Sequence, residues 1–81
     1  MHELSLAQNI VKIVQQHLSS GQNQGVKSVK MKVGHQAGIT PESLKFCFGA
    51  VTEGTAVQGA TLEIENVAGD ELRVVEIELA E

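Results

Sequence analysis

Residues 26–33 read VKSVKMKV. Val29, Met31 and Val33 fall on one side of an extended chain, and Ser28, Lys30 and Lys32 on the other. Side chains alternate along a strand with a period of two, so this pattern predicts a strand with one face on a core and one in water. Such a strand needs cover for its apolar face, and the segments on either side provide it. Upstream, Leu4, Ala7, Val11, Val14 and Leu18 recur at steps of three and four, and Leu6, Ile10 and Ile13 widen the stripe. That spacing predicts a broadly buried helix over 3–20, ended by Ser19-Ser20-Gly21 with Gly21 as its left-handed cap.

Downstream, Gly34-His35-Gln36-Ala37-Gly38 is a glycine-bracketed connection, and Thr40-Pro41-Glu42 starts a second helix. Thr40 takes the N-cap, Pro41 the first helical position, and Glu42 complements the helix dipole. Ile39 and Leu44 stand where a hydrophobic staple has its two members. Leu44, Cys47, Phe48 and Val51 share one face, Phe46 lies off it, and Gly54 ends the helix. Cys47 on that face reads as a small core residue. Two more alternating segments follow. Residues 61–65 set Leu62 and Ile64 against Thr61, Glu63 and Glu65; residues 72–80 set Val75, Ile77 and Leu79 against Glu76 and Glu78. A helix between the first two strands suits a parallel crossover. The short Asn66–Glu71 link, with Gly69-Asp70 as its turn signal, suits an antiparallel hairpin of the last two. The predicted fold is a two-layer α+β domain of order α-β-α-β-β, with both helices on one face of a three-stranded mixed sheet. Seven of the ten acids lie in residues 63–81, while Lys27, Lys30 and Lys32 crowd the first strand, an arrangement that suits cross-strand pairing.

Composition narrows the function. An 81-residue chain is one domain with a small core. Phe46 and Phe48 are its only aromatics, and the net charge is −4. It offers neither stacking platform nor basic surface for nucleic acid. Cys47 is the single cysteine, so neither an intrachain disulfide nor a Cys₄ zinc site can form. No stretch reads as a signal peptide or a membrane span, and the expectation is a cytoplasmic protein, monomeric or weakly dimeric through an exposed sheet edge. No nucleophile–base pair, phosphate loop or carboxylate pair suggests an enzyme.

One stretch carries coordination chemistry. The Met1 amine, the His2 amide nitrogen and the His2 imidazole can close five- and six-membered rings on one metal ion. A planar nitrogen set suits Ni²⁺ or Cu²⁺. The fourth donor is the Glu3 amide, the Glu3 carboxylate or a group from elsewhere, such as His35 in its loop. A helix start opposes a bare cation, but its first amides have no intrahelical acceptor, so ionising them breaks no helical bond. The competing reading is an ordinary helix terminus in which Glu3 serves the dipole. His17, near the end of its helix, reads as a solvated or capping residue.

MHELSLAQ, VKMKVG, TPESLKFCF, VTEGT, GATLEIE and GDELRVVEIEL, in this order, resemble the HypA/HybF family of nickel-insertion proteins of [NiFe]-hydrogenase maturation. The resemblance implies an α+β nickel-binding domain over 1–81, with nickel held at Met1, His2 and Glu3. It also implies a HypB-like GTPase and a hydrogenase large-subunit precursor as partners. Family members carry a zinc domain with two CxxC pairs between the last two strands. Here that insertion is missing, with the junction near Ala68-Gly69, so Ni(II) and no zinc is expected. The alternative is a metal-free interaction module that docks on the maturation GTPase.

Overall fold

The computed structural model describes residues 3–18 and 25–80. Helix α1 spans Glu3–His17, strand β1 Val26–Gly34, helix α2 Pro41–Val51, strand β2 Thr61–Val67 and strand β3 Leu72–Leu79. The order is the expected α-β-α-β-β. β1 and β2 pair in parallel, from Ser28 beside Thr61 to Gly34 beside Val67. The two helices pack on each other. Leu6, Ala7, Ile10, Val11 and Val14 of α1 and Leu44 and Phe48 of α2 join Val29, Met31, Val33 and Leu62 of the sheet in one buried cluster.

The final hairpin does not form. The strand order is β2-β1-β3, and β3 runs antiparallel to β1 rather than to β2. β1 is the most buried of the three strands, and a central place buries it more fully than an edge would. The 68–71 connection therefore passes over the C-terminal end of β1. Two interstrand spacings amount to about 10 Å, well within the reach of the five Cα steps from Val67 to Leu72. The crossing is pinned by three backbone bonds. Gly34 N–H donates to Glu71 O at 2.7 Å, His35 N–H to Val67 O at 2.9 Å, and Gln36 N–H to Gly69 O at 2.7 Å.

Two bulges correct the expected faces. β3 pairs Val74 with Met31 and Glu76 with Lys30, which leaves Val75 as an extra residue. An extra residue reverses the alternation. Leu72, Val74, Ile77 and Leu79 pack against the core, and Val75 is 37% exposed. A second shift, at Lys27 on β1, lets Val26 and Val29 both be buried. Ser28 is buried as well, not solvated, and its hydroxyl donates to Glu78 Oε1 at 3.2 Å. On α1 the stripe is narrower than expected, with Leu4 47% and Ile13 38% exposed. The helix stops at His17, three residues short of the expected end. Gly21 lies outside the described residues. α2 closes at Val51, and Gly54 reverses the chain at φ 77°. Val57, with no exposed surface, plugs the core from the turn that follows.

Thr40 takes the N-cap position of α2 in an extended conformation, φ −91° and ψ 113°, but its side chain makes no capping bond. Its own amide donates to Glu3 Oε2 at 3.1 Å. In a capping box, the residue three places into a helix reaches back to the N-cap amide. Ser43 holds that place in α2 and is a residue type too short for the task. A carboxylate from α1 does it instead, and so ties the N-termini of the two helices together.

The Gly34 crossing leaves no room for a side chain. A Cβ there would strike the Gly69 carbonyl and stand 2.6 Å from the Glu71 nitrogen, both of them backbone groups. Gly34→Ala should therefore open the clasp and cost about 2–4 kcal/mol in denaturant unfolding. Gly49→Ala, in the α2 interior with nothing within 4 Å of the added carbon, should stabilise by about 0.5–1 kcal/mol. Glu3→Ala should cost about 1 kcal/mol, the usual effect of losing a cap, and speed hydrogen exchange at the Thr40 amide. Glu3→Gln keeps an acceptor and should retain most of the protection.

Candidate metal centre

Parallel pairing brings the C-terminal ends of β1 and β2 side by side, at Gly34 and Val67. From Gly34 the chain turns, with Ala37 N–H donating to Gly34 O at 3.1 Å, and reaches Thr40 at the start of α2. The bond from Thr40 to Glu3 sets the first residue of α1 at this same end. One end of the molecule thus gathers the start of both helices, the exposed His35 and the 68–71 connection.

The electrostatics of this end are those of two helix N-termini, each with unpaired amides and a partial positive charge. That field opposes a bare cation and favours anionic groups. The Glu3 carboxylate, half-buried, meets it directly. A metal ion here is acceptable when its donors bring negative charge, as ionised amides do.

Of the predicted metal residues, Met1 and His2 lie outside the described residues, and Glu3 opens α1. The Glu3 carboxylate is engaged with Thr40. His35 is exposed on the loop. His17 is at the other end of α1, about 21 Å away along the helix, and its Nδ1 donates to Ile13 O at 2.8 Å, the capping role expected of it. Cys47 packs partly buried against the core, about 10 Å along α2 from Thr40. Among the described residues, no three His, Cys, Asp or Glu side chains cluster to hold a metal.

The remaining charges serve the sheet. Lys30 of central β1 is flanked by Glu63 on β2 and Glu76 on β3, and its Nζ lies 3.9 Å from Glu65 Oε1. Both partners of that pair are more than 40% exposed, so the pair contributes at most about 1 kcal/mol. Arg73 bonds Glu71, and this hydrogen bond, aided by the charges of Arg73 and Lys32, holds the Glu71 carboxyl below the usual carboxylate range. An open groove between α1 and β3, lined by Ile13, His17, Val74, Val75, Glu76 and Ile77, reaches His17 and so lies toward the other end of α1. No helix of the described residues is long and apolar enough to cross a membrane.

Sequence reasoning missed the Glu3–Thr40 bond. Its one signal was a good capping position followed by Pro41 and Glu42 with no long acceptor three residues in. It also missed the crossing at Gly34, which nothing local announces.

Comparison with known proteins places the chain in a family. The HypA family, described as hydrogenase/urease nickel incorporation metallochaperones, matches residues 1–72. The chain is 42% identical over 69 residues to the hydrogenase maturation factor HypA of Trichodesmium erythraeum, covering 85% of this chain and 58% of that protein. It is 41% identical over 69 residues to that of Azotobacter chroococcum, covering 85% and 61%. The chain thus spans about three-fifths of the length of these curated relatives. The solution structure of the Ni metallochaperone HypA from Helicobacter pylori superposes with a TM-score of 0.83 over 98% of this chain and 97% of that one. At 16% identity that likeness speaks to the fold. On the family match and the closeness of the curated relatives, this chain belongs to the HypA family of nickel-incorporation metallochaperones.

Proposed function

We propose that residues 1–81 form the nickel-binding domain of a [NiFe]-hydrogenase maturation metallochaperone. In this reading Ni(II) is cargo, held by the Met1 amine, the His2 amide and the His2 imidazole, with Glu3 beside them. The observation that carries the proposal is the bond from Glu3 to Thr40. It holds the residue next to His2 at the end of the sheet where two helix starts converge. There the amides that would ionise have no helical acceptor to lose. Anionic amide nitrogens also suit the positive field of the helix ends.

Transfer follows from the same geometry. A chelate at a chain end can be approached from solvent without opening the core, as delivery to a cytoplasmic HypB-like GTPase and then to a hydrogenase large-subunit precursor requires. In this reading the short 68–71 connection stands where the family resemblance implies a zinc domain. The single cysteine leaves this chain without a thiolate site for zinc.

Ni²⁺ titration of the chain with its native N-terminus should give one saturable site, with Cu²⁺ binding more tightly by the general affinity order. One extra residue before Met1, or acetylation, should nearly abolish binding while the fold, followed by circular dichroism, stays unchanged. His2→Ala should do the same. Equal nickel affinities for the native and extended chains would overturn the chelate in favour of a surface histidine.

A further inference from the structure

We propose that the outer face of α2 is a docking surface for a cationic amphipathic helix of another protein. The chain has two aromatic residues, and the fold separates them. Phe48 is 2% exposed in the core, whereas Phe46 on the same helix is 80% exposed. Glu42, Phe46, Gly49 and Ala50 follow one another at steps that keep them on one side of a helix, and all four are exposed. Leu44 and Phe48, on the other side, are buried.

Gly49 has no internal reason to be glycine. It lies inside the helix with no positive φ, and a Cβ there would meet nothing within 4 Å. Glycine at such a place weakens a helix relative to alanine. What it supplies is a hollow: with Ala50 it leaves the backbone open one turn from the protruding Phe46 ring. Small residues let a second helix come close and seat a ridge of its side chains in that groove, so the occupant is a helix.

The charges select which helix. Glu42 and Glu53 bracket the patch, eleven positions apart, and both are exposed. Neither forms an ion pair among the described residues. Glu53 stands just past the C-terminus of α2, where the helix dipole disfavours an acid, and the last turn holds no basic residue to offset it. Lys45, the one base of α2, is about 12 Å away along the axis. A helix with Lys or Arg at both ends of an apolar face would meet both carboxylates, and one of its cations would meet the negative end of the dipole.

A second copy fits poorly. Antiparallel pairing that set Phe46 on Gly49 and Ala50 of a second copy would also set Glu42 against Glu53, between chains of net charge −4. The face is about 16 Å long and about 10 Å wide, a small part of the roughly 800 Å² per partner of a standard interface. Opposite charge therefore has to supply what area does not, and the contact belongs to the transient class.

The test is NMR of the full ¹⁵N-labelled chain titrated with two synthetic helical peptides. They share an apolar face of leucine and alanine; one carries lysines eleven positions apart at its ends, and the other carries glutamates there. The lysine peptide should move the amide signals of residues 42–53 and bind at least tenfold more tightly than the glutamate peptide. Phe46→Ala and Gly49→Leu should each weaken it roughly tenfold, the scale of an aromatic hot spot lost or its hollow filled. Neither should lower the thermal unfolding midpoint, because both positions are exposed. Glu42→Gln combined with Glu53→Gln should remove the preference for lysine. Equal binding of the two peptides, shifts that map to the groove at Ile13 and Val75 instead, or no binding of either peptide would overturn the proposal. So would signals of 42–53 that move on concentrating the chain alone, with sedimentation showing a dimer, since the occupant would then be a second copy.

Discussion

The structure depends on β1 being the middle strand. Val26, Val29, Met31 and Val33 are almost wholly buried, and an edge position would leave one side of their backbone unpaired. With β2 on one side and β3 on the other, every other element has its place set. α2 must return the chain so that β2 can run parallel to β1. β3 must then reach the opposite edge, so the short connection after β2 has to pass over the end of β1. Gly34 is the residue at that crossing, where a side chain would occupy the space of the Gly69 and Glu71 backbone.

The same topology arranges the charge. Lys30 on the central strand stands between Glu63 on β2 and Glu76 on β3, so attraction acts across both ladders at that position, whereas Lys32 faces Glu65 on β2 but Arg73 on β3. Screened and exposed, these pairs add little energy. They bear more on choice of partner. Both edge strands carry glutamates, Glu63 and Glu65 on one and Glu76 and Glu78 on the other. The Val75 bulge further disturbs the free edge of β3. Like charge and a bulge both discourage a second copy from extending the sheet.

The sequence made the elements legible because each has a clear period and local punctuation. Pro41 marked the start of α2 to the residue, and the alternation of 26–33 found β1 to within one residue at Gly34. What it hid was non-local. A short link between two strands reads as a hairpin unless the competing strand is weighed, and only total burial decides that β1 intervenes. The doublet Val74-Val75 did break the alternation of β3, yet the choice of which valine faces inward depends on the register with β1. Thr40 is the N-cap of α2 as expected, but its side chain makes no capping bond. Thr40 had the right residue type, but the acceptor that satisfies its amide comes from 37 residues earlier. The chemistry of the first three residues was legible as residue types, and the tie of Glu3 to the 35–40 loop was not.

The proposed chelate answers the electrostatic objection to a metal at a helix start. A cation and a helix N-terminus repel, and two converging N-termini repel it more. An ion held by neutral donors alone would be poorly placed here. An ionised amide changes the sum, because the donor brings its own negative charge and takes it from a group without a helical acceptor. The half-buried Glu3 carboxylate adds a second negative charge close by while keeping its structural bond to Thr40. In the proposed chelate, metal and fold draw on different groups: the Met1 and His2 nitrogens for the ion, the Glu3 carboxylate for the helix. On that proposal, cargo would leave the site while α2 keeps its cap.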